Sequence, residues 1–123
     1  MDNKIIIVNK ILEICNGKLL LGNKDLEVNS YSRDSRDIKT GAMYLAIKGE
    51  RVNGNDFIEA AFNNGAMGCI TDENINNEIL EKFKDKVIIK VDDTIKALQE
   101  IAKYKRSLYD IPVIAVTGSV RKN

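Results

Sequence analysis

Three short clusters in this 123-residue chain hold residue types that could do chemistry. One is Thr117-Gly118-Ser119-Val120-Arg121-Lys122, entered from an apolar run after Pro112. A phosphate-binding loop needs a strand and a glycine-bearing turn whose backbone N–H groups wrap phosphate. It also needs a lysine, a Ser or Thr hydroxyl for the metal, and a following helix. The pattern here supplies the strand, the turn residues Thr117, Gly118 and Ser119, and Lys122. Arg121 stands where a second glycine belongs and Asn123 where the metal hydroxyl belongs. The expectation is a nucleotide-binding remnant that approaches an ATP site without binding ATP, in one domain of a larger enzyme.

Another cluster is Arg33-Asp34-Ser35-Arg36. Two guanidinium forks, a hydroxyl and a carboxylate within four residues suit an anionic, hydrogen-bonding ligand. A solvated loop holding one Asp–Arg pair is the plainer alternative. The last cluster is Lys48-Gly49-Glu50-Arg51-Val52-Asn53-Gly54-Asn55, just past an apolar run at Met43 to Ile47. Open α/β sheets bind ligands beyond the C-terminal ends of their strands, and glycines let the backbone approach closely. A turn with a helix cap explains the same residues equally well. The carboxylate pairs Asp72-Glu73 and Asp92-Asp93 fall at strand-to-helix junctions, where acids cap helices, so they are not taken as an acid/base dyad. Tyr44, Phe57 and Phe62 are assigned to the core. No catalytic residue and no metal ligand is identified.

The elements that must position these clusters follow from periodicity. Val8, Ile11, Leu12 and Cys15 have helical spacing, with Gly17 as the C-terminal cap. Lys18 to Leu21 and Leu26 to Tyr31 form strands around a Gly22-Asn23 turn, which predicts an antiparallel hairpin. A strand at Met43 to Ile47 is followed by a helix capped by Asp56 and ended by Gly65. Further on come a strand over Ala66 to Ile70, a weaker helix over Ile75 to Phe83, and a strand over Val87 to Val91. An amphipathic helix follows, capped by Asp92, Asp93 or Thr94, with Ile95, Leu98, Ile101, Ala102, Lys105 and Leu108 along one face. Pro112 closes it and opens a last strand. The alternation of strand and helix predicts a three-layer α/β/α domain with a mixed, largely parallel sheet and an N-terminal antiparallel hairpin. The domain covers residues 1–111, and residues 112–123 begin the first strand and loop of a following ATPase domain.

Composition narrows the function classes. The chain is 44% hydrophobic and 30% charged, which supports a packed core under a solvated surface. Nineteen basic and eighteen acidic residues leave a net charge of +1, without the basic surplus of a nucleic-acid binder. No stretch approaches the roughly 20 apolar residues of a membrane span. The N-terminus turns polar too soon for a signal peptide, so the cytoplasm is expected. With no His in the chain, imidazole chemistry is excluded within it. Cys15 and Cys69 lack a metal-spaced partner and are taken as structural thiols.

These pieces together resemble the Mur ligases of peptidoglycan synthesis, most closely the MurF branch. The resemblance rests on Asp34-Ser35-Arg36, on Thr40-Gly41-Ala42-Met43-Tyr44-Leu45-Ala46-Ile47-Lys48-Gly49-Glu50-Arg51 and on Asn53-Gly54-Asn55-Asp56-Phe57-Ile58. It continues through Asn64-Gly65-Ala66 and Val91-Asp92-Asp93-Thr94 to Ile111-Pro112 and Val116-Thr117-Gly118-Ser119. Asn53 and Asn55 depart from the family's usual Asp and His. The resemblance implies a domain that binds the UDP part of a UDP-N-acetylmuramoyl-peptide. Ser35 matches the serine near the uridine. Gly49, Glu50 and Arg51 match a loop closing over uracil and diphosphate, and Arg36 and Gly54 are further motif positions, with a bracing role for Arg36 as the alternative to direct contact. ATP and Mg would serve the central domain of the full-length parent, where the substrate carboxylate is phosphorylated and attacked by the amine of D-Ala-D-Ala. This chain alone is expected to hold no cofactor and to be inactive, for want of the central and C-terminal domains. Oligomeric state is not legible. The rivals are a stand-alone nucleotide-sugar binder, a protein-interaction module, and a MurE-like branch.

Overall fold

The computed structural model describes residues 6–114. Strand β1 (Ile6–Ile7) leads into helix α1 (Val8–Cys15), and β2 (Lys18–Leu21), β3 (Glu27–Val28) and β4 (Ser30–Ser32) follow. After β5 (Ala42–Leu45) come a single 3-10 turn (Gly54–Phe57) and α2 (Ile58–Asn63). Then come β6 (Gly68–Thr71), α3 (Asn77–Lys82), β7 (Val87–Lys90) and α4 (Thr94–Ile114).

Five strands form one sheet in the order β2-β7-β6-β5-β4. Its four strands from β4 to β7 run parallel, and β2 pairs antiparallel with β7 at the edge. Alternation along the strands splits the core in two. On one face Met43, Leu45, Ile70, Val87 and Ile89 meet Val8 and Ile11 of α1 and Ala97 and Ile101 of α4. On the other, Tyr44, Cys69 and Ile88 meet Ile58, Ala61 and Phe62 of α2, with Phe83 just after α3. The three layers are therefore present as expected.

The N-terminal pairing differs from the expected hairpin. Gly22 does turn the chain, at φ +104°. The two runs flanking it nevertheless find separate partners: β2 joins β7, while β3 pairs antiparallel with β1 in a small second sheet. The run expected as one strand over Leu26 to Tyr31 is split, and its second half, β4, lies parallel to β5. Pairing with β7 covers an otherwise bare edge of the main sheet, which a local hairpin would leave open.

Caps also moved. Asn16 at φ 54° is the left-handed residue ending α1, whereas Gly17 is small because a Cβ there would stand 2.8 Å from Ile89. Asn76, through a side-chain bond from Ile79 N–H, caps α3. Asp93 caps α4 as foreseen, accepting from Ile95 and Lys96 N–H at 2.9 and 3.2 Å. Helix α4 continues through Pro112 to Ile114, so residues 112–114 are helical where a strand was expected to open. A proline near the end of a helix forgoes a single backbone bond, and the run of good helix formers before it carries the helix past that loss.

Candidate functional site

Because β4, β5 and β6 are parallel, their C-terminal ends share one edge of the sheet. Ser32, Leu45 and Thr71 stand there, and the segments that follow Ser32 and Leu45 meet around a cleft of about 700 Å³. Its walls include Arg33, Asp34, Ser35 and Arg36 on one side and Ile47, Gly49, Val52 and Gly54 on the other. Tyr44, Phe57, Ala60 and Asn64 complete the lining.

The first wall is a tight turn organised by its own side chains. Ser32 Oγ accepts from Asp34 N–H at 3.1 Å and donates to the Asp34 and Asp37 carbonyls. Asp34 Oδ1 accepts from the Arg36 backbone N–H at 2.9 Å and from Arg36 Nε at 3.2 Å, and Oδ2 faces Arg36 Nη2 at 3.4 Å. That guanidinium, chiefly by its side-chain bond, holds the Asp34 carboxyl below its ordinary value. Asp34 in turn raises Arg36. Arg36 is therefore engaged within the turn by Asp34. Arg33 lines the same cleft without an ion-pair partner among the described residues, so it is the freer cation of the two. The expectation had named Arg36 as the site residue of this pair. Ser35 is buried, and Asn64 Nδ2 donates to its carbonyl at 2.7 Å, tying the turn to the end of α2.

The second wall is a small hairpin. Gly54 N–H donates to Ile47 O at 2.9 Å, Lys48 bridges Asn53, and Gly49 N–H donates to Val52 O at 2.8 Å. Glu50 and Arg51 stand exposed at its tip, and neither belongs to the cleft lining. Gly54 is buried at the base, where a Cβ would stand 2.6 Å from Ile47 N and 2.7 Å from Ile47 O. No other residue fits that approach. Tyr44 Oη donates to Gly54 O at 2.8 Å from below. Burial, with lesser contributions from Cys69 and Asp34, pushes the Tyr44 phenol up to about 12.

Three assignments change. Phe57, taken as core, is 40% exposed and lines the cleft beside Val52, giving it an apolar flank. Asn53, not Asp56, caps the 3-10 turn, accepting from Asn55 N–H. Asp72 and Glu73 do not cap a helix; their carboxylates accept side-chain amides from Asn55 and Asn53. Residue type signalled none of these, since each depends on how neighbouring loops fold against one another.

Cys69 is fully buried and its thiol is pushed up by burial, while Cys15 is pushed up to about 11 by burial and, less, by Glu100. Both are inert packing groups at neutral pH. No group of acidic or sulfur ligands suited to a metal occurs among the described residues. No helix there is long and apolar enough to cross a membrane. Thr117, Gly118, Ser119 and Lys122 lie outside the described residues.

A family model described as "Mur ligase family, catalytic domain" matches residues 27–106. The UDP-N-acetylmuramoyl-tripeptide–D-alanyl-D-alanine ligase of Synechocystis sp. is 32% identical over 99% of this chain and 26% of its own length. The UDP-N-acetylmuramoyl-L-alanyl-D-glutamate–2,6-diaminopimelate ligase of Rickettsia prowazekii is 38% identical over 81% of this chain and 20% of its own length. The chain thus spans about a quarter or less of the curated relatives it matches. Among solved structures, MurF from Acinetobacter baumannii aligns with a TM-score of 0.70 at 23% identity, over 88% of this chain and 22% of that one. At that identity the likeness speaks for the fold.

Proposed function

Because the chain belongs to the Mur ligase family, we propose that residues 1–111 form a UDP-binding substrate domain of a ligase that adds D-Ala-D-Ala to a UDP-N-acetylmuramoyl-tripeptide. One observation carries this reading: two loops distant in sequence, 33–36 and 47–54, converge on a single cleft at the C-terminal edge of a parallel sheet. The chemistry of the lining fits a nucleoside diphosphate. Arg33 presents a guanidinium fork to phosphate oxygens, and Arg36 neutralises Asp34 so that no free carboxylate repels them. Ser35 supplies a polar group, and Val52 and Phe57 offer an apolar flank for the uracil ring. Gly49 lines the cleft, Gly54 anchors the hairpin, and Glu50 and Arg51 at the exposed tip are placed to reach a ligand that extends beyond the lining.

In this reading the domain holds the substrate and performs no bond making. ATP and Mg would serve phosphoryl transfer in the central domain of such a ligase, and Thr117, Gly118, Ser119 and Lys122 match part of a phosphate-binding loop in sequence. The work is done in the cytoplasm, in cell wall biogenesis. A MurE-like branch is the second reading, favoured by the comparable identity to diaminopimelate-adding relatives.

Thermal melting of the 123-residue chain with UDP, with UDP-N-acetylmuramoyl-tripeptide, with the dipeptide analogue and with ATP-Mg tests the proposal. A ligand at roughly ten times its Kd adds about 1.4 kcal/mol to the folded state. A rise with the UDP ligands and none with ATP-Mg is expected. Stronger stabilisation by the dipeptide form supports the MurE-like branch, and no rise with any UDP ligand at millimolar concentration sinks the substrate-domain reading.

A further inference from the structure

Behind the hairpin, on the side away from the arginine turn, its base is joined to the end of β6 by a chain of side-chain hydrogen bonds. Thr71, fully buried at the last position of that strand, donates from Oγ1 to Asn55 Oδ1 and accepts from Glu73 N–H at 3.0 Å. Asn55 Nδ2 has both its hydrogens engaged, by Asn53 Oδ1 at 2.9 Å and by Asp72 Oδ1 at 3.3 Å. Asn53 Oδ1 also accepts Asn55 N–H, and Asn53 Nδ2 reaches Glu73 Oε2 at 3.0 Å.

Such a chain needs a group that accepts at one end and donates at the other. An amide does this without charge, and its two N–H bonds suit the two oxygens facing it. A carboxylate at position 55 would lose both donors and set a second negative charge beside Asp72. The anchor is stiff, because β6 lies between β5 and β7 and all its residues are buried. The hairpin, by contrast, hangs from the sheet with only its own rungs and the Tyr44 bond. What the amides determine is therefore how far the hairpin stands over the cleft.

We propose that Asn53 and Asn55 are positioning residues, which lock the 47–54 hairpin to the end of β6 and so fix the cleft at the width its ligand requires. The part concerning ligand rests on the cleft being the UDP subsite; the part concerning the hairpin does not.

Amide hydrogen exchange at Gly49, Gly54 and Asn55 in the ligand-free 123-residue chain tests the lock directly. Titration with UDP tests its consequence. Asn55→Asp, nearly the same size, is expected to speed exchange at these amides by about tenfold or more and to weaken UDP binding by about tenfold. Asn55→His keeps one donor and one acceptor and is expected to recover most of both. Glu73→Ala acts on an exposed residue, so folding is spared, and gives a smaller change of the same sign. Parental exchange rates in both Asn55→Asp and Glu73→Ala overturn the proposal. Loosened exchange with unchanged UDP affinity overturns the positioning role. Loosened exchange in a chain whose parent binds no UDP leaves the lock standing and removes the subsite reading instead.

Discussion

The two walls of the cleft are held by opposite means. The Arg33–Arg36 turn is self-made: Ser32, Asp34 and Arg36 satisfy one another within a few residues, and among the described residues only Asn64 bonds to it from elsewhere. The 47–54 hairpin is held from outside, by Tyr44 beneath it and by Thr71, Asp72 and Glu73 behind it. Local pairs on a solvated turn contribute little to stability, and the Arg36 side chain of this one is 89% exposed. The Tyr44 bond is buried and the Thr71 bond partly so, and such bonds contribute more, because breaking one strands a polar group without water. One wall can therefore adjust to a ligand while the other sets the frame.

Substitutions can break that contrast in order of size. Gly54→Ala drives a Cβ into the Ile47 backbone and is expected to cost about 3 kcal/mol, read as a lower urea midpoint with the cleft lost. Parental stability would mean the hairpin base is not pinned. Arg33→Ala should leave stability alone and weaken UDP about tenfold, near 1.4 kcal/mol, more than Arg36→Ala does. The reverse ranking in calorimetry would make Arg36 the contact and Arg33 the bystander. Tyr44→Phe should lower stability by about 1 kcal/mol by leaving the Gly54 carbonyl unpaired. The raised Tyr44 value adds a sign: its contribution is complete below the ordinary tyrosine range and is lost as pH climbs through about 12. Melts at rising pH should show a larger loss in the parent than in Tyr44→Phe, where Tyr31, also raised by burial, still contributes.

The smallest effect belongs to the first wall. Asp34 is depressed by Arg36, so their pairing is present above the ordinary carboxylate range and fades as pH falls through the lowered value. A carboxyl NMR titration should place the Asp34 midpoint lower in the parent than in Arg36→Ala, with melting unchanged. Equal midpoints would show that the turn is not organised by this pair.

The same contrast explains what was legible in the sequence. Asp34-Ser35-Arg36 stood out in the sequence because most of the bonds that shape its turn join residues within a few positions of one another. Helix α4 was legible as an element because its cap at Asp93 is a local pattern, but its inner face was shifted: Thr94, Ala97 and Ile101 are buried, whereas Ile95 and Ala102, expected on that face, are exposed. Strand β5 announced itself as an apolar run, buried along its length. Asp72 and Glu73 were misread because a carboxylate after a strand looks alike whether it caps a helix or accepts an amide from another loop. Phe57 was misread because an aromatic beside a helix start carries no mark of which way it faces. The hairpin around Gly22 failed on the same ground, since a turn fixes reversal of the chain but not which strand receives it.

That edge pairing bears on how the molecule is made. Lys18 lies opposite Lys90 and Leu19 opposite Ile89, so β2 has no place in the main sheet until β7 exists. On a ribosome β2 emerges before the other four strands of the main sheet, and its partner β7 emerges last of the five. The nascent chain must carry Lys18–Leu21 unpaired while β4, β5 and β6 assemble, and the release of β7 is the event that lets the sheet close.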